Sequence, residues 1–134
     1  MSDSSSLPTV PEDVVPALVE RFNSGDVNAM LTLYEPQAVL VMRDGRTVRG
    51  HTEIAAQLAP DLQHGLPLAA KARHVFVNGD IAEIVLDWTI EGTGRDGEHV
   101  HVGGSASDVV HRGADGFWRY LIDNGLGTAV RQPA

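Results

Sequence analysis

The sequence predicts an α+β fold: three N-terminal helices packed on a strongly curved, mainly antiparallel mixed sheet. Two observations carry this. Four glycine turns punctuate the chain, Asp44-Gly45, Asn78-Gly79-Asp80, Arg95-Asp96-Gly97 and Ala114-Asp115-Gly116, and Gly, Asn and Asp tolerate the positive φ that tight hairpins need. The last three enclose two proline-free runs, 81–94 and 98–113, rich in Val, Ile, Thr and His. Both are longer than the about 5–6 residues of an ordinary strand. Long antiparallel strands twist and coil, so such a sheet with helices at one end makes a cup able to hold a small molecule.

Residues 1–8 read as a disordered tail, 9–128 as a single domain and 129–134 as a C-terminal tail. Thr9-Val10-Pro11-Glu12 has the Thr-x-x-Glu form of a capping box. Val14, Val15, Leu18, Val19 and Phe22 follow at one-face helical spacing. Pro16 implies either a kink or a start later than the box. Gly25 ends this helix, and Asp26 caps the next, over 27–34, which turns Met30, Leu31, Leu33 and Tyr34 inward. A short apolar strand at 37–42 returns through Asp44-Gly45 into 46–49. Gly50 precedes a third helix at 52–62, with Ile54, Ala55 and Leu58 inward. After a loop at 64–67 come four strands, 68–77, 81–91, 99–111 and 117–126. Alternation along 81–91 puts Ala82, Ile84, Leu86, Trp88 and Ile90 on the cup side. It leaves Val85, Asp87 and Thr89 on a half-polar outer side. The pair Gly103-Gly104 predicts a bulge or bend.

Composition excludes several function classes. Hydrophobic residues make up 43% of 134, enough for a core, while 10 scattered basic residues stand against a net charge of -8. Nucleic-acid affinity comes largely from Lys and Arg meeting phosphates, so neither nucleic acid nor an anionic membrane is an expected partner. No apolar stretch is long enough to span a bilayer. The first residues lack the basic and apolar regions of a secretory signal, which points to the cytoplasm. With no cysteine, disulfide and thiolate chemistry are excluded.

Chemistry-bearing residues are few. Asp108 interrupts a stretch of Ser, Ala and Val, and Asp123 follows Tyr120-Leu121-Ile122. Carboxylates are depleted in strand interiors, so both are candidate pocket acids, against a plain reading as solvated surface groups. His99 and His101 share one strand face, but no third ligand is fixed by spacing. A pair on a polar sheet face is the better reading, and neither metal nor cofactor is expected. His51 and His111 read as surface residues at element ends. His74 reads the same way, with the cup side of its strand as the alternative and ligand contact as its candidate role there. Packing is the default for Tyr34, Phe76, Trp88 and Tyr120. Tyr34 and Trp88 also lie on faces that line the cup, where polar tips can orient a ligand. The candidate ligand-binding residues are Tyr34, Met42, Trp88, His74 and Tyr120.

Specific strings then carry a resemblance. They are Phe22-Asn23-Ser24-Gly25-Asp26 between helices, Leu33-Tyr34-Glu35-Pro36-Gln37-Ala38-Val39 entering the first strand, Gly50 before the third helix, and Asp115-Gly116-Phe117-Trp118-Arg119 opening the last strand. In this order they resemble the nuclear-transport-factor-2-like cone fold over about residues 9–128, a superfamily that includes SnoaL-type polyketide cyclases and ketosteroid isomerase. Within it the chain looks closest to the SgcJ/EcaC-like group, some of whose members sit in actinobacterial natural-product pathways, enediyne antibiotics included. The resemblance implies a small apolar metabolite as ligand and a homodimer through the outer sheet face. It does not by itself imply an activity. The isomerase's general base would fall at Met42 and its oxyanion-hole Tyr at Leu18, so steroid-type chemistry is not expected. Its second, protonated Asp donor matches Asp108, which an apolar site would keep neutral. Three readings follow: a cofactor-free acid–base cyclase or isomerase using Asp108 and Asp123, a non-catalytic binder with the same pocket, or a dimeric interaction module. Burial of the carboxylates separates the first two from the third, and pH-dependent turnover separates the first from the second.

Overall fold

The computed structural model describes residues 6–130. A 3₁₀ turn, Pro11–Asp13, leads into α1 (Val14–Ser24), followed by α2 (Val27–Leu31) and α3 (His51–His64). The strands are β1 (Tyr34–Val41), β2 (Thr47–Arg49), β3 (Leu68–Asn78), β4 (Ile81–Thr93), β5 (His99–Arg112) and β6 (Trp118–Asp123). They form one curved mixed sheet in the order β2-β1-β6-β5-β4-β3. β1 and β6 run parallel, and every other pair is antiparallel. The helices lie on the concave side, where Val14, Phe22, Met30 and Ile54 meet Ala82, Ile84, Leu86 and Val110 in the core. No helix among the described residues is long and apolar enough to cross a membrane.

The expected hairpins are present: Gly45, Gly79, Gly97 and Gly116 all have positive φ, between 62° and 94°. So is the Asp26 cap, whose carboxylate accepts from the N–H groups of Asn28 at 2.9 Å and Ala29 at 3.3 Å. Truncating it, Asp26→Ala, is expected to cost about 1 kcal/mol. A thermal melt should then show a midpoint lowered by roughly 3–5 °C for a domain of this size.

Other expectations are corrected. The Thr9–Glu12 box makes no capping bond. The turn begins after Val10, and the α-helix starts at Val14. Pro16 therefore stands in the first helical turn, where N–H groups lack intrahelical acceptors anyway. α2 stops at Leu31, so Tyr34 opens β1 instead of closing a helix. Gly103-Gly104 makes no bulge against β4, since the β4–β5 register runs unbroken from Ile81↔His111 to Thr93↔His99. The irregularities lie at Arg73 in β3, at Leu121 in β6 and between Tyr34 and Val39 in β1. Part of the expected tail is bound into the fold. Pro8 is buried and its carbonyl accepts from Trp118 N–H at 2.9 Å, Ser6 O accepts from Arg21 at 3.2 Å, and Leu7 packs on the core. Residues 1–5 and 131–134 lie outside the described residues.

Candidate functional site

β6 lies between β1 and β5, and this placement assembles the site. Strand pairing sets Tyr120 beside Tyr34 and Asp123 beside Leu40. Simple alternation would put Tyr120 and Asp123 on opposite faces. The extra residue at Leu121 resets the phase, because Tyr120 pairs with inward Val110 while Ile122 pairs with outward Val109. Asp123 thus turns to the concave side with Asp108 of β5.

The two carboxyls stand close enough for each to shift the ionisation of the other. Asp108 is 2% exposed, and its Oδ1 accepts the Asn124 backbone N–H at 2.7 Å. Asp123 is half-buried, and its Oδ2 accepts the Tyr34 hydroxyl at 2.5 Å. Burial pushes Asp108 well above the usual carboxylate range, the Asp123 charge adds to this, and the Asn124 N–H opposes it. Burial also raises Asp123, against the bonds it receives from Tyr34 and Asp108. Two neighbouring buried carboxyls disfavour simultaneous ionisation. Burial acts most on Asp108, which is raised well above the usual range, while the Tyr34 hydroxyl favours the charged form of Asp123. Tyr34 itself stays neutral, its phenol held far above its ordinary value by burial and then by Asp123.

The pair opens on a cavity of about 400 Å³. Leu18, Phe22 and Met30 wall it from the helices, and Leu86, Trp88 and Ile90 wall it from β4. Arg43, Gln57 and Asp61 supply polar groups to it. Burial raises Asp61, while His64 and Arg43 pull it down. The segment 124–128 crosses β5 as a strap at one end. Ser107 N–H donates to Asn124 O at 3.1 Å, and Trp88 Nε1–H donates to Gly125 O at 2.6 Å. Two glycines permit this crossing. A Cβ on Gly127 would stand 2.5 Å from Ser107 N, and one on Gly104 would stand 2.4 Å from Leu126 Cδ2.

The structure brings together Asp108, Asp123, Tyr34, Met42 and Trp88 on this cavity. The polar tips of the two aromatics are already engaged, Tyr34 by Asp123 and Trp88 by the strap. Tyr120 is fully buried among these groups but is not part of the cavity wall, and its hydroxyl has no hydrogen-bond partner. Such a group costs about 1–3 kcal/mol. His74 is corrected outright. The extra residue Arg73 flips the alternation of β3, so His74 pairs with outward Val85 and stacks on Phe76 in solvent, rings 5.5 Å apart. His99 and His101 are exposed, His99 facing Glu91 at 3.7 Å, and among the described residues no three His, Asp or Glu converge as metal ligands.

Sequence reasoning missed Gln57, Asp61, Gly125 and Leu126. For Gln57 and Asp61 a signal exists: they flank the Ile54–Leu58–Leu62 stripe four residues apart. For the strap there is none, since its position depends on contacts with β5.

The comparisons with known proteins agree with this fold. A nuclear transport factor 2-like superfamily protein from Salmonella enterica is similar in structure, at a TM-score of 0.71 and 19% identity, covering 92% of this chain and 94% of that one. A ketosteroid isomerase-like protein from Erwinia carotovora atroseptica is similar at a TM-score of 0.68 and 19% identity, covering 84% and 88%. A conserved protein from Planctomyces limnophilus matches at a TM-score of 0.72 and 19% identity, covering 84% and 89%. At such identities the likeness is one of fold. No curated protein matches in sequence. The family model of the SnoaL-like domain matches residues 15–121. With the cone fold, the helices on its concave side and the walled cavity already in place, that match makes the chain a member of the SnoaL-like domain family.

Proposed function

We propose that the protein is a cofactor-free acid–base catalyst of cyclase or isomerase type acting on a small, largely apolar carbonyl metabolite of polyketide kind. One observation supports this above all: a pair of carboxyls, Asp108 and Asp123, both raised by burial, set in the wall of a mostly apolar cavity of about 400 Å³. A neutral acid and an anionic base side by side can protonate a carbonyl oxygen and take a proton from carbon, and raised carboxyl pKa values suit that work near neutral pH. A role in an enediyne or related natural-product pathway is the finer part of the proposal and rests on the sequence resemblance. The test is exchange of carbon-bound protons for deuterium, followed by NMR on a panel of β-diketones. Wild type is expected to exchange faster than buffer, with a pH-dependent rate. No acceleration on any member, together with saturable quenching of Trp88 fluorescence, would transfer the assignment to a non-catalytic binder. Met42 at the isomerase's base position favours that second reading.

The outer sheet face supports a homodimer. Pairing sets Phe76, Glu83, Val109 and Ile122 in one cross-strand row. Phe76 is 58% exposed and Ile122 36%. Val85 stands one pair further along, with exposed Asp87 and Thr89 beyond it. Light scattering at micromolar concentration is expected to give twice the chain mass, and Phe76→Asp to give the monomer. Monomeric wild type would refute the interface.

A further inference from the structure

Asp108, Ala106 and Gly104 occupy alternate positions of β5, so they share its concave face. They pair in that order with Ile84, Leu86 and Trp88 of β4. Along this row the β5 side chains shrink from a carboxymethyl to a methyl to a hydrogen, which leaves a trough. Its floor is Ala106 and Leu86, both 2% exposed and both on the cavity wall. The floor is one cross-strand pair wide, about 5 Å, which suits a single chain. Asp108 and Asp123 stand at one end. Gly104 lies at the other, four residues along β5, which is about 13 Å of extended strand. There the strap sets Leu126 on top of Gly104, where any Cβ would strike Leu126 Cδ2.

Leu126 is clamped from both sides. Its carbonyl accepts the Ala129 N–H at 3.0 Å, which closes a turn. The residue before it is fixed by Trp88, whose Nε1–H donates to Gly125 O at 2.6 Å. The residue after it, Gly127, lies so close to the Ser107 backbone that it has no room for a side chain. The strap therefore holds an apolar side chain on the cavity wall, over a residue that has none of its own.

We propose that Leu126 is a specificity-determining residue, the end stop of a trough that takes one unbranched apolar tail of the ligand. The carbonyl end of such a ligand meets Asp108 and Asp123, its alkyl or polyene tail lies over Ala106 and Leu86, and its last carbon meets Leu126. The substrate class narrows to carbonyl compounds with a single linear tail whose length Leu126 limits. The reaction at the carbonyl end rests on the acid–base reading above; the length limit does not.

The experiment uses β-diketones that carry one n-alkyl chain on the central carbon, from methyl to octyl, with Kd read from Trp88 quenching. In wild type each added methylene is expected to tighten binding about fourfold while the tail fits, and then to add nothing. Leu126→Ala removes Cγ and both Cδ atoms. The gain should then continue for about three further carbons, so that the longest tails bind about tenfold or more tighter than to wild type. Gly104→Ala, which displaces Leu126 into the cavity, is expected to end the gain at a shorter tail. Leu126→Met, of similar volume, should keep the wild-type limit. A merely structural role would weaken every member of the series alike. Uniform weakening in Leu126→Ala, an unmoved limit, or a limit that moves the same way in Leu126→Ala and Gly104→Ala overturns the proposal. Deuterium exchange on the same series keeps the two readings apart. A shifted limit with no exchange on any member sinks the enzyme reading and leaves the end stop standing. Exchange with an unmoved limit sinks the end stop alone.

Discussion

Asp108→Asn is expected to lower turnover by about 10²–10⁴-fold, the usual worth of a positioned acid or base, while the protein melts no lower at neutral pH than wild type. The two halves have one cause. An amide at this position still accepts the Asn124 N–H, so the bond that fixes it survives. What is lost is the proton. In the folded state burial holds Asp108 above its ordinary value of 3.8. Once the pH passes that value, the unfolded chain has released a proton that the folded protein retains. Stability then falls with rising pH, because the unfolded state binds fewer protons. This carboxyl therefore contributes its full stability below the unfolded value and loses it as pH climbs toward the folded one. Asparagine has no such loss, so the melting gap in favour of the variant should widen from about pH 4 to about pH 7. Equal turnover in the two proteins would leave only the binding reading. A variant that melts below wild type at pH 7 would contradict the raised proton affinity of Asp108.

Gly127→Ala is expected to destabilise the protein by about 1–3 kcal/mol. The new carbon would stand 2.5 Å from Ser107 N and 2.6 Å from Ser107 Cβ. These atoms belong to a central strand that cannot yield without disturbing its ladders with β4 and β6. Gly104→Ala makes a useful contrast. Its carbon would clash with the Leu126 side chain end, at 2.4 Å, and meet Gly125 O and Trp88 Nε1 at ordinary contact distances of 3.5 and 3.6 Å, so it should cost less stability and instead push Leu126 toward the cavity. Thermal melts of both variants, with Trp88 quenching by a β-diketone, separate the effects. Matching loss of stability in the two would show that the strap is not anchored on β5 as described.

The sequence made the hairpins legible because positive φ demands glycine, and glycine is visible. It made the concave face of β4 legible because that strand has no irregularity between Ile81 and Thr93. Legibility ended where one extra residue changed the phase. Arg73 and Leu121 carry no mark of the bulges they make, yet the first turns His74 out to solvent and the second brings Asp123 in beside Asp108. The visible signal, Gly103-Gly104, predicts a bulge or bend because glycine weakens strands, and no bulge forms against β4. Its cause lies elsewhere: a Cβ on Gly103 would strike Trp88 O at 2.5 Å, and Gly104 makes room for Leu126. Those are contacts between segments far apart in sequence, which local composition does not record. Tyr34 was placed in a helix for a similar reason, its aromatic ring fitting either an inward helical face or the first residue of a strand.

The position of β6 has a consequence for how the molecule comes into being. It enters the sheet between strands made about 80 residues earlier and about 10 residues earlier, pairing Tyr120 with Tyr34 on one side and Val110 on the other. While the chain is being synthesised, β1 with β2 and β3 with β4 and β5 can form two separate hairpin systems, each with an open edge. They become one sheet only after Asp123 has emerged. The carboxyl pair, its tyrosines and the cavity that they serve thus appear together and last, in the slow closure that long sequence separation imposes. Until β6 has emerged, a nascent chain lacks Asp123 and the ladder that joins it to β1.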